Sequence, residues 1–222
     1  MYEYAEKNEV RKYRTWCSEV MEEIRDVLKE RYAIVSQPVM IGSGAKNLVT
    51  RNGGGPFDLD YNLEILYADG KYWEDLGRLK GTVKRTAEES LRRRGVQPSS
   101  VKDSTSCITV ILFFRDEPQV QFSFDIGIIA EDEDGYSRLI HRKEMGLNRY
   151  LWNQAPNSAH VKMRADWLKK NGYWEKVRER YLEKKNLYLL RGEEDCHPSF
   201  NVYIETVNEI YQAKRKAQRV NG

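Results

Sequence analysis

Asp58 and Asp60 lie two residues apart in the run Phe57-Asp58-Leu59-Asp60-Tyr61-Asn62-Leu63. Alternation of apolar and polar residues predicts a strand, whose side chains alternate between faces. The two carboxylates then project from one face, and Leu59, Tyr61 and Leu63 from the other. Neighbouring carboxylates repel, and a divalent cation resolves the conflict. Mg²⁺ takes oxygen ligands, typically a few carboxylates together with substrate phosphates. Upstream, Ile41-Gly42-Ser43-Gly44 offers backbone N–H groups that a phosphate can approach closely, because glycine has no Cβ. A third carboxylate, Asp125, falls in a run where Val120, Phe122, Phe124, Ile126 and Ile128 alternate with Gln121, Ser123, Asp125 and Gly127. It shares the polar side with Ser123 and Gln121. A carboxylate in such a strand needs a partner or a metal, since burying an unpaired charge is costly.

The elements that must carry these residues follow from periodicity. Glu9 to Arg31 has apolar residues at Val10, Tyr13, Cys17, Val20, Met21, Ile24, Val27 and Leu28, close to a 3.6-residue repeat, and predicts a helix packed on a sheet. Tyr32 to Ile41 predicts a strand, with Pro38 marking an edge or an irregularity. Ser43 to Pro56 reads as a loop containing Lys46, Arg51 and Gly53-Gly54-Gly55. Phe57 to Tyr67 is the next strand. Tyr72 to Arg94 predicts a second long helix, stopped at Gly95, with Arg92-Arg93-Arg94 complementing the negative end of its dipole. Strands follow at Cys107 to Arg115 and Gln119 to Ala130, with a hairpin turn over Glu131 to Gly135 and one more strand at Tyr136 to His141. Helices are expected at Ser158 to Lys170, Tyr173 to Leu190 and Pro198 to Arg219. The fold class is α+β: a mixed sheet flanked by helices, followed by an α-helical C-terminal half. The domains are expected at 1–142 and 143–222, with a soft boundary over 143–157.

The chain has 222 residues, enough for one large domain or two small ones. Lys and Arg number 37 against 34 Asp and Glu, a net charge of +3, which permits a local basic patch without demanding one. Cys17, Cys107 and Cys196 are scattered and odd in number, which argues for a reducing compartment. The polar N-terminus lacks a secretory apolar region, and no apolar run is long enough to cross a bilayer. A soluble, cytoplasmic protein without membrane contact is expected. The glycines make neither a Walker A loop nor a Rossmann fingerprint. Cys196-His197 is isolated in sequence from His141 and His160, and does not argue for zinc.

The order Ile41-Gly42-Ser43, then Asp58-Leu59-Asp60-Tyr61, then Asp125 between Phe124 and Ile126 resembles the active-site signature of the DNA polymerase β-like nucleotidyltransferase superfamily. The run Gly42-Ser43-Gly44-Ala45-Lys46-Asn47 looks like the corresponding loop of the oligoadenylate synthetase and bacterial cyclic-oligonucleotide synthetase branch. The spacer from Ser43 to Asp58 is longer than that pattern. The resemblance covers roughly residues 10 to 130. It implies a nucleotidyltransferase domain closed by a helical domain over the nucleotide and acceptor cleft. It also implies two Mg²⁺ ions, or Mn²⁺, held by Asp58, Asp60 and Asp125. Gly42 and Ser43 would bind the phosphates, helped by Lys46, Arg51 and a cation of the helical half such as Lys162, Arg164 or Lys169. The implied reaction moves a nucleoside monophosphate from an NTP to a hydroxyl acceptor and releases pyrophosphate. Basic residues at Arg92 to Arg94 and Lys214 to Arg219 favour a nucleotide or RNA acceptor.

Rival readings share the same residues. An antibiotic-type enzyme would use a small-molecule acceptor. A toxin-like enzyme would modify tRNA or protein. A degenerate fold would only bind nucleotide or RNA. Asp-x-Asp also occurs on ordinary solvated strand faces.

Overall fold

A computed structural model describes residues 1–96, 101–114, 117–144, 146–154, 159–191 and 198–220. Two compact units emerge. One comprises Ala5–Val49 and Gly54–Ala155, the other Met1–Tyr4, Thr50–Gly53 and Pro156–Gly222.

The larger unit is built on a seven-stranded mixed sheet. Strand β2 (Val35–Ile41) forms one edge and runs antiparallel to β4 (Phe57–Tyr67). β4 is parallel to β7 (Glu117–Asp132), which continues antiparallel to β6 (Ile108–Phe114) and then β5 (Val101–Asp103). β8 (Gly135–Glu144) pairs with the far end of β7 and with β9 (Leu147–Gln154). Pro38 lies on the edge strand, where a missing N–H is tolerated best.

The alternation in β4 and β7 decides how the sheet is covered. Phe57, Leu59, Tyr61, Leu63, Phe122, Phe124 and Ile126 are buried on one face. Helix α1 (Lys7–Tyr32) lies over that face, with the Tyr13 ring 4.1 Å from that of Phe122 and Trp16 edge-on to Phe122 and Phe124. Helix α4 (Leu76–Arg93) adds Leu79, Val83, Ala87 and Leu91 to the same core. The polar face is left for chemistry.

Several expectations are corrected. The loop after β2 contains a single-turn helix, α2 (Gly42–Lys46), and a short strand, β3 (Thr50–Asn52). The helix expected from Tyr72 is two pieces, α3 (Gly70–Glu74) and α4. Asp75 separates them, and its side chain caps α4 by accepting from the Arg78 N–H at 2.9 Å. Residues 147–154, expected in a boundary segment, form β9, so sheet continues past residue 142.

A buried polar cluster ties α4 to β5 and β8. Lys80, 2% exposed, pairs with Asp103 at 2.7 Å and donates to the Ser104 carbonyl at 2.5 Å. Both ring nitrogens of buried His141 are engaged, Nδ1 with Asp103 and Nε2 with Asn148, each at 2.9 Å. That occupancy leaves His141 no nitrogen for a metal. Cys196 and His197 lie outside the described residues. Cys17 and Cys107 are free and buried.

The smaller unit joins helices α5 (Ala159–Lys170), α6 (Trp174–Arg191) and α7 (Ser199–Val220) to a two-stranded ladder of β1 (Tyr2–Tyr4) and β3. Lys184 on α6 bridges Glu205 and Glu209 of α7 at 3.4 and 3.0 Å. Asn186 of α6 exchanges hydrogen bonds with the backbone of Tyr2. Among the described residues, no helix is long and apolar enough to cross a membrane.

Leu59 is fully buried directly beneath the carboxylate face. Leu59→Ala should lower unfolding free energy by about 2–5 kcal/mol, as for other buried leucines. Urea denaturation checks this.

Candidate active site

Parallel pairing of β4 with β7 sets Asp58 opposite Ser123 and Asp60 opposite Asp125. Neighbouring strands lie about 4.8 Å apart, so the last pair places two carboxylates side by side. All three aspartates occupy the face turned away from Leu59, Tyr61 and Phe124. The Ser123 hydroxyl donates to Asp58 Oδ1. One oxygen of Asp125, Oδ1, is buried and, among the described residues, has no hydrogen-bond partner. Thr109 on β6 lies opposite Asp125.

The electrostatic consequence falls on Asp60. Burial, then the charges of Asp125 and Asp58, hold its carboxyl above the usual range, and Lys46 and Arg138 pull the other way. Burial raises the Cys107 thiol as well, and Asp125 beside it adds to the effect.

Ile41, the last residue of β2, pairs with Asp60, so the chain turns into α2 beside the carboxylates. Gly42 has φ 63°, and a Cβ there would lie 2.0 Å from Asp60 Oδ2. Only glycine permits both the left-handed backbone and that approach. Lys46 Nζ donates to the Gly42 carbonyl at 2.8 Å. Asn47, at φ 56°, ends the turn. Gly42, Ser43 and Lys46 are thus gathered with Asp58, Asp60 and Asp125 in one unit. Arg51 lies on β3 in the helical unit, opposite Glu3 of β1.

Three hard-oxygen side chains, one with an orphaned buried oxygen and one whose ionisation is opposed by its neighbours, form a donor set suited to a divalent cation. Among the described residues, no group of three or more His, Cys, Asp or Glu side chains is arranged to hold a metal ion as it stands. The Asp58 carboxylate is instead turned to the Ser123 hydroxyl.

Other sequence candidates fare differently. Arg93 and Arg94 are both tied to Glu23 of α1, the latter at 2.6 Å, which makes that helix end a structural clamp. Arg164 donates to Asn208 within the helical unit, Lys169 lies 4.7 Å from the Trp174 ring centroid, and Lys162 is exposed. Arg138 is the residue that sequence reading missed. Its guanidinium reaches across β7 to Asn62, two residues beyond Asp60. The available signals were Asn62 and Gly127, each two residues past an aspartate.

Three-dimensional comparison shows that the chain shares its fold with solved structures of DncV and CdnC proteins. The cyclic AMP-GMP synthase DncV of Vibrio cholerae, in complex with the linear intermediate 5′-pppA(3′,5′)pG, superposes with a TM-score of 0.61 at 11% identity, covering 92% of this chain and 68% of that one. CdnC of E. coli MS115-1 with ATP gives a TM-score of 0.56 at 17% identity, covering 92% and 61%. CdnC in its HORMA-deltaN complex gives 0.58 at 17% identity, covering 93% and 61%. The chain therefore spans roughly two thirds of the length of these proteins. The sequence itself matches no protein-family model and no curated protein.

Two outcomes test the geometry. Gly42→Ala should lower Tm while circular dichroism at 20 °C stays unchanged, because the added Cβ meets Asp60 and sits on a left-handed backbone. Asp60→Asn should raise Tm at pH 7 in EDTA. The folded state binds the Asp60 proton more tightly than the unfolded chain, so ionised Asp60 opposes folding above its raised pKa. That penalty disappears as pH falls below the unfolded carboxylate value of about 3.9, and so should the gain from Asn. Thermal melts across pH read it.

Proposed function

We propose that this protein is a divalent-metal-dependent nucleotidyltransferase that moves a nucleoside monophosphate from an NTP to a hydroxyl acceptor. The observation that carries the reading is the register of Asp60 on Asp125, with Asp58 on the same face and the Gly42 turn against Asp60.

Asp58, Asp60 and Asp125 would hold the cations. When bound, Mg²⁺ supplies charge neutralisation on the triphosphate and acidifies the attacking hydroxyl. The Ser43 hydroxyl and the N–H groups of the Gly42–Lys46 turn bind the β- and γ-phosphates, and Lys46 adds a positive charge beside them. Asp125 holds the acceptor hydroxyl, and its unpartnered Oδ1 receives the proton. The acceptor oxygen forms its bond to the α-phosphorus as the bond to the bridging oxygen of the β-phosphate breaks, and pyrophosphate leaves. The apolar face beneath, packed by Phe122, Phe124 and Leu59, keeps the strands in register so that the carboxylates stay paired during the transfer.

A nucleotide acceptor is favoured over RNA or an antibiotic-type small molecule. DncV, one of the structural neighbours, was captured with a linear dinucleotide intermediate. The triple-arginine argument for RNA weakens, since Arg93 and Arg94 are committed to Glu23. Lys214 and Arg215 at the end of α7 lie 5.2 and 5.7 Å from the ring centroids of Tyr173 and Trp167.

Incubation with radiolabelled NTPs and Mg²⁺, followed by product separation, tests the reading. Pyrophosphate release and a nucleotide product are expected, lost in EDTA and reduced at least about 10²-fold by Asp60→Ala or Asp125→Ala. Modification of a small molecule with no product from NTPs alone would replace the acceptor assignment. Activity that survives both substitutions would remove the carboxylates from the mechanism.

A further inference from the structure

Arg138 stands on β8 opposite Ile129 of β7. Counting back by twos along β7, Ile129, Gly127 and Asp125 share one face, as Asn62 and Asp60 do on β4. The Arg138 side chain runs back over β7 and donates from Nη2 to Asn62 Oδ1 at 2.8 Å. It crosses where β7 carries Gly127. A Cβ at Gly127 would lie 2.2 Å from Arg138 Nη1 and 3.1 Å from Asn62 Oδ1. The absence of a side chain at that position is what lets the guanidinium lie against the sheet.

The result is a half-buried cation, one pleat from the Asp60–Asp125 pair, held by a neutral amide. Among the described residues it makes no ion pair with a carboxylate. Its charge acts on Asp60, pulling against the rise that burial and the neighbouring carboxylates cause. An arginine has five donors, and the Asn62 contact accounts for one. A planar donor fork fixed in this way suits a phosphate.

Its position across the sheet says whose phosphate. The Gly42–Lys46 turn approaches from β2, on one side of β4. Asp125 and then Arg138 lie on the opposite side, along β7 and β8. The donor triphosphate is assigned to the first side and the acceptor hydroxyl to Asp125. We propose that Arg138, set by Asn62 and Gly127, binds a phosphate of the acceptor and selects phosphorylated over unphosphorylated acceptors. The proposal rests on the nucleotidyltransferase reading and adds the chemical class of acceptor to it.

Titration calorimetry with AMP and adenosine tests it, with Mg²⁺ present and the donor site filled by a non-hydrolysable ATP analogue. Wild type should bind AMP about tenfold more tightly than adenosine. Arg138→Gln should remove most of that advantage, weakening AMP about tenfold and leaving adenosine and the ATP analogue unchanged. Arg138→Lys should keep part of it. Gly127→Ala should behave like Arg138→Gln, since its Cβ takes the guanidinium's place. Equal affinity of wild type for AMP and adenosine overturns the proposal. So does an equal loss for both ligands in Arg138→Gln, or a loss confined to the ATP analogue. Failure of the underlying nucleotidyltransferase reading looks different: the ATP analogue would bind independently of Mg²⁺ and of Asp58 and Asp60.

Discussion

The whole arrangement depends on the repulsion between Asp60 and Asp125. Parallel pairing of β4 and β7 forces these two side chains onto adjacent strands at one level. Nothing in the local sequence relieves it, and Asp58 adds a third negative charge on the same face. Burial sharpens the conflict, since charge removed from water interacts over a lower effective dielectric. The fold tolerates this because the other face of the same strands is a dense core of Leu59, Tyr61, Phe122 and Phe124 under α1. One face holds the register, and the other carries the charge that register creates.

Around this repulsion the neighbouring groups are graded by their freedom to move. Gly42 is fixed by a contact that excludes any Cβ. Lys46 returns to the Gly42 carbonyl and brings a positive charge beside Asp60. Asp58 is satisfied by Ser123, so it is the carboxylate with an alternative partner. Asp125 has no such alternative for Oδ1. Arg138 approaches from β8 and offers partial compensation, forming no salt bridge among the described residues. A site with these properties gains most from a cation that serves all three carboxylates together, and from phosphates that serve the cation.

Much of this was legible in the sequence. The bounds of β4 and the span of α1 follow from periods of 2 and 3.6, because each of these elements buries one whole face. The carboxylate triad was legible because Asp58, Asp60 and Asp125 each interrupt an apolar alternation at the polar phase. Other features were not, and the reason is pairing at a distance. β9 has a weakly buried pattern, and its strand state is imposed by its ladder with β8. β1 and β3 are three residues each, too short to show a period, and they form only because they meet. The role of Arg138 depends on a gap at Gly127 in another strand. The ends of Arg93 and Arg94 are spoken for by Glu23, some seventy residues earlier in the chain.

The central claim is that the Asp58, Asp60 and Asp125 face is a metal-dependent nucleotide site. Calorimetric titration of ATP into the wild-type protein, with Mg²⁺ and then with EDTA, measures it most directly, alongside the same titration of Asp60→Asn. The account predicts binding that requires Mg²⁺ and that falls sharply in Asp60→Asn. ATP binding of equal affinity in EDTA, unchanged by the substitution, would contradict it.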